Sequence, residues 1–128
     1  MQDMQVRELA TMPAVGIGPD TLFRDALSLM KERGCRRLPV VEGEQLVGIV
    51  TERDLHRAVM RYVDAPVEVS ELMTVDVVTT GADASLREAA RTMMERRIGS
   101  LPVVDDQGRV IGIVTETDIF RTFVSMLQ

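Results

Sequence analysis

Set against itself, the chain repeats. Val6, Glu8, Leu9, Thr11, Gly18 and Asp20 return as Val69, Glu71, Leu72, Thr74, Gly81 and Asp83, an offset of 63 (69 − 6). The register continues through Arg24/Arg87, Ala26/Ala89, Met30/Met93 and Arg33/Arg96 to LPVV at 38–41 and again at 101–104. One more residue in DDQGR (105–109) moves the closing strings, GIVTERD at 48–54 and GIVTETD at 112–118, to an offset of 64 (115 − 51). Nothing else in the chain limits the fold so strongly, because whatever one copy forms the other must form too. The copies divide the chain at 1–64 and 65–128. A unit of about 60 residues buries only about 60% of its unfolded surface and is marginal alone. The two are therefore expected to pack as one globular module about a pseudo-two-fold axis, which would make any cleft between them occur twice.

Each copy spells the same elements. A short extended piece (AVGI 14–17, VVTT 77–80) and an Asp-containing turn lead into an amphipathic helix. Its apolar stripe is Leu22, Ala26, Leu29 and Met30 in the first copy and Leu86, Ala89, Ala90 and Met93 in the second, the spacing of a buried helical face. Ser85 followed by Glu88 is a capping-box start. Two apolar runs joined by Gly-containing turns predict a hairpin, with Pro39 and Pro102 near strand starts, where a missing N–H is tolerated. A second helix closes each copy from about 53 and about 117. The expected class is α/β, with the order β-α-β-β-α twice.

Composition removes several function classes. A net charge of −5 argues against a general nucleic-acid binder. No apolar run is long enough to span a bilayer, no leader peptide is visible, and a single cysteine, Cys35, fits a reducing cytoplasm. The first 64 residues carry nine Lys/Arg and ten Asp/Glu, and the second 64 six and ten. Any basic patch therefore belongs to the first copy, with Arg33, Arg36, Arg37, Arg53 and Arg57 its candidates. There is no Trp and few other aromatics, so a bound ring would be held by aliphatic side chains and backbone.

The paired Thr-x-x-Asp strings, Thr51/Asp54 and Thr115/Asp118, carry two readings. In one they are capping boxes and need no ligand. In the other the helix N-terminus and its hydroxyl take a phosphate, the carboxylate takes ribose hydroxyls, and Arg53 adds a charge-assisted contact. Spacing alone leaves both open. The strings LPVV…GIVTERDL and LPVVDDQGRVIGIVTETDI, each preceded by a helix and by ELMT-like residues at 71–74 and 8–11, resemble a tandem pair of cystathionine β-synthase (CBS) domains, a Bateman module, over essentially the whole chain.

That resemblance implies an adenosine-ligand site in which the Asp holds ribose, the Thr contacts phosphate and the other copy supplies a wall for the adenine. It implies one site of Thr51, Arg53 and Asp54 walled by Val77, Ile98 and Gly99. It implies a second of Thr115 and Asp118 walled by Ala14, Cys35 and the basic Arg36–Arg37 pair. The ligand expected first is AMP, with ADP, ATP or S-adenosylmethionine as further candidates. The expected function is a stand-alone regulatory sensor, not an enzyme, since no nucleophile–base pair or metal cluster is visible. Its partners would be a small adenosine compound, a second copy in a homodimer and an effector protein not identifiable from sequence, with neither nucleic acid nor membrane. The alternative is a ligand-free dimerisation or docking module. His56 reads as a surface residue, Cys35 as a small buried hydrophobe, GIGPD at 16–20 as a turn, and Met30, Met60, Met93 and Met94 as core or interface filler.

Overall fold

A computed structural model describes residues 4–127. The chain forms two compact units that do not follow the repeat boundary at 64/65. Val15–Val77 makes a central unit, and the described residues on both sides of it together make a flanking unit. The central unit holds α1 (Phe23–Arg33), β1 (Arg37–Glu42), β2 (Gln45–Thr51), α2 (Glu52–Arg61) and a 3-10 turn at Val69–Glu71. The flanking unit holds the equivalent turn at Val6–Glu8, then α3 (Leu86–Arg96), β3 (Ser100–Val104), β4 (Val110–Thr115) and α4 (Glu116–Met126).

An antiparallel hairpin anchors each unit, β1 with β2 and β3 with β4. Gly43 turns the first at φ 63° and Gly108 the second at φ 78°, left-handed positions that glycine occupies without a Cβ penalty. In the second turn the Asp105 carboxylate accepts the N–H groups of Gln107 and Arg109, both at 2.9 Å, and Arg109 Nε at 2.8 Å. These bonds, the Arg109 N–H foremost, hold its carboxyl below the ordinary carboxylate range.

The leading extended pieces shrink to one residue each. Ile17 bridges Val40 in parallel, its N–H donating to Pro39 O (3.0 Å) and its carbonyl accepting Val41 N–H (2.8 Å). The next rungs of such a ladder would need N–H groups from Pro39 and Pro19, and proline has none. Thr80 bridges Val103 in the same way, with Pro102 blocking one side. Each repeat is therefore a β-β-α hairpin unit behind a helix, its expected first strand reduced to a bridge.

The opposite hairpin edges explain why units and repeats differ. Thr74 and Ile49 exchange N–H···O bonds of 2.9 and 3.0 Å, as do Thr11 and Ile113. The segment that leads each repeat thus closes the hairpin of the other repeat. Val69 N–H donates to Thr21 O at 2.8 Å, and Val6 N–H to Ala84 O at 2.9 Å. Both valines are fully buried.

The cores are separate. Ile17, Phe23, Ala26, Met30, Leu38, Val40, Val50, Leu55 and Ala58 pack with Val67 and Val69 in the central unit. Val6, Ala89, Met93, Leu101, Val103 and Val114 pack in the flanking one. Phe23 replaces Leu22 in the expected stripe. Leu22 is the extended residue before α1 and lies 37% exposed, so the helical face starts at Phe23 and runs to Ala26 and Met30. Ser85 caps α3 by accepting Glu88 N–H at 3.0 Å. Met30 and Met93 are core, and Met60 and Met94 are exposed on α2 and α3.

Candidate functional site

Both Thr-x-x-Asp strings fall where a strand becomes a helix, and both close as capping boxes. Thr51 Oγ1 accepts Asp54 N–H at 3.2 Å, and Asp54 Oδ2 accepts Thr51 N–H at 3.3 Å. At the second junction Thr115 Oγ1 accepts Asp118 N–H at 3.2 Å, while Asp118 Oδ2 accepts Thr115 N–H at 2.8 Å and the Thr115 hydroxyl at 3.0 Å. The sequence dictates this locally: β-branched Thr suits the last extended position, and a carboxylate at the third helical residue reaches back to its N–H.

Capping leaves chemistry over. The capping bonds engage Oδ2 of each aspartate. Asp54 Oδ1 has no partner among the described residues, and Asp118 Oδ1 faces Arg121 Nη1 at 3.7 Å. Both junctions are part-buried rather than enclosed. Each therefore offers a fixed carboxylate oxygen beside the N-terminal end of a helix, able to accept hydroxyl hydrogen bonds while the cap stays intact.

The residues beside each junction are set by hairpin register. Arg37 is opposite Thr51, and Arg36 O accepts Glu52 N–H at 2.8 Å. Ser100 is opposite Thr115, and Gly99 O accepts Glu116 N–H at 2.9 Å. These are the neighbours of each junction within its own hairpin. Arg36 and Arg37 stand beside Thr51 in the central unit, with Cys35 just ahead of them, and Ile98 and Gly99 stand beside Thr115 in the flanking unit. The cause is the antiparallel ladder, which ties the start of one strand to the end of its partner. Val77 belongs to the unit of Thr51 and Ala14 to that of Thr115, both half-buried. Arg36 and Arg53 are exposed and Arg37 is half-buried.

Ser100 was missed by the sequence reading. It is 8% exposed, a buried polar residue facing Thr115, and its place one residue before Leu101-Pro102 was the available signal. Cys35 packs half-buried against the central core, and His56 is exposed. Among the described residues no group of three or more His, Cys, Asp or Glu could hold a metal, and no helix is long and apolar enough to cross a membrane.

The family model for the CBS domain matches residues 6–61 and 69–125. An inosine-5′-monophosphate dehydrogenase from Korarchaeum cryptofilum is 38% identical over 106 residues, covering 83% of this chain and 21% of that protein. The chain spans between 20% and 22% of the length of three such dehydrogenases that it resembles. Among solved structures, the CBS domain pair of protein MJ0100 in complex with 5′-methylthioadenosine and S-adenosyl-L-methionine superposes with a TM-score of 0.88 at 30% identity, over 96% of this chain and 98% of that one. CBSX2 in complex with AMP superposes with a TM-score of 0.85 at 28% identity, over 97% and 98%.

Proposed function

The chain belongs to the CBS domain family, and from that premise we propose that it is a non-catalytic regulatory module that binds adenosine-containing ligands. The observation that carries the reading is the pair of junctions. In both units an aspartate is pinned by its own capping box with Oδ1 outside the cap, and the solved relatives include pairs holding AMP, S-adenosylmethionine and 5′-methylthioadenosine. Asp54 and Asp118 would accept the ribose hydroxyls, and Thr51 and Thr115 would stand at the 5′ substituent. Arg36, Arg37, Cys35 and Val77 would line the central site, and Ala14, Ile98 and Gly99 the flanking one. AMP is the ligand to try first, then ADP, ATP and S-adenosylmethionine. Binding can signal only by favouring one arrangement of the module over another, to be read by an effector protein. The single cysteine suits work in a reducing cytoplasm.

The test is direct. Asp54→Ala combined with Asp118→Ala should abolish AMP binding in titration calorimetry while the protein stays folded. Unchanged affinity in that variant would sink the site assignment.

One observation favours a second, compatible reading as a dimerisation module. No side chain of α4 is fully buried, and Phe120, Phe123, Val124 and Leu127 lie exposed at i, i+3, i+4 and i+7. That is the spacing of one helical stripe, and such a stripe marks an interaction site. A second copy of the chain is the occupant we propose. Phe120→Asp should convert a dimer to a monomer in sedimentation velocity; a wild type that sediments as a monomer at tens of micromolar would contradict it.

A further inference from the structure

The two junctions carry different charge, and we infer that the two units take adenosine ligands of different class: the central unit one that bears a phosphate, the flanking unit one that does not. This rests on the reading above, that each Thr–Asp pair grips an adenosine ligand.

Residues directly opposite in an antiparallel ladder emerge on one face, with Cβ atoms about 4.5–5.5 Å apart. Arg37 therefore shares a face with Thr51. Half-buried Arg37, exposed Arg36 and exposed Arg53 make no ion pair among the described residues. Arg37 stands opposite Thr51 and Arg53 lies in the first turn of α2, where the helix dipole already favours an anion. Planar guanidinium matches a phosphate through paired N–H···O bonds.

Position for position, the flanking unit has Gly99 for Arg36, Ser100 for Arg37 and Thr117 for Arg53. Ser100 is buried, so the place held by a long cation in one unit is closed over in the other. Arg121 lies 3.7 Å from Asp118 and is matched to that carboxylate already. Arg97 is the residue after α3, at the position of Gly34. Glu52 and Glu116 are common to both units and do not distinguish them.

The experiment is a set of calorimetric titrations of the full chain with AMP and with adenosine, which differ only by the phosphate. Wild type should bind AMP more tightly than adenosine by about tenfold or more, the scale of charge-assisted hydrogen bonds. Arg37→Ser with Arg53→Thr, which gives the central unit the flanking unit's residues and keeps its capping box, should erase that advantage, bringing the AMP and adenosine affinities to within about twofold of each other. Asp54→Ala should remove tight AMP binding, and Asp118→Ala should spare it. AMP affinity unchanged in the arginine variant, or lost in Asp118→Ala, would overturn the inference alone. Failure of both AMP and adenosine to bind wild type would overturn the adenosine reading and the inference with it.

Discussion

At Arg97 the two copies keep one backbone conformation but change the residue that adopts it. Arg97 ends α3 at φ 56°, where the equivalent Gly34 ends α1 at φ 68°. Both are left-handed helix ends, a conformation that costs a residue with a Cβ about 1–2 kcal/mol. Arg97→Gly should therefore stabilise the protein by about 1 kcal/mol, seen as a higher urea midpoint with unchanged slope. Gly34→Arg should lower the midpoint by a similar amount. A neutral or destabilising Arg97→Gly would mean that the arginine side chain contributes more than its backbone strain removes. The candidate site is similarly legible at this scale. Thr51, Asp54, Thr115 and Asp118 announce themselves because a capping box has a fixed spacing of three residues. Arg36 and Arg37 were legible as a basic pair, but not as neighbours of Thr51. That proximity depends on which strand ends meet, and a lone string of residues does not contain it.

Among the elements, the hairpins and helices were readable from their apolar patterns: unbroken apolar runs in β1 and β3, alternating burial toward the ends of β2 and β4, and a 3.6 period along α1 and α3. The extended pieces at 14–17 and 77–80 were not. Their apolar residues suggest strands, yet each forms a single rung: Pro39 and Pro19 supply no N–H on either side of Ile17, and Pro102 none on one side of Thr80. The closing helices differ in a way the shared Thr-x-x-Asp start conceals. α2 buries Leu55 and Ala58, whereas α4 buries no side chain fully and turns Phe120 and Phe123 outward. Capping and ligand binding also separate at this scale. Asp54→Ala removes one half of a box, which should cost about 1 kcal/mol of stability with or without ligand. Equal destabilisation of the free and the AMP-saturated protein would assign Asp54 to the cap alone; a larger loss in the saturated protein is the result expected here.

For the whole molecule, the exchanged leading segments were the feature least visible in the sequence. A repeat offset of 63 is the same whether residues 4–11 close the first hairpin or the second. Only the bonds of Thr11 to Ile113 and of Thr74 to Ile49 decide it. Val6→Ala should accordingly weaken the flanking unit, by about 2 kcal/mol for a fully buried valine. Hydrogen exchange would report this as faster exchange in β3 and β4, with β1 and β2 the less affected. Acceleration confined to β1 and β2 would contradict the exchange.

Adenosine ligands are expected to bind the folded chain. The most direct measurement is thermal unfolding of protein stripped of bound ligand, alone and with 1 mM each of AMP, ADP, ATP, S-adenosylmethionine, NAD and GTP, about 100 times a 10 μM dissociation constant. A ligand at that ratio adds about 2.7 kcal/mol and should raise the midpoint by several degrees. A rise is expected with AMP and other adenine compounds and none with GTP. A flat response from a protein that is folded at the start would contradict it and leave the Thr–Asp pairs as helix caps.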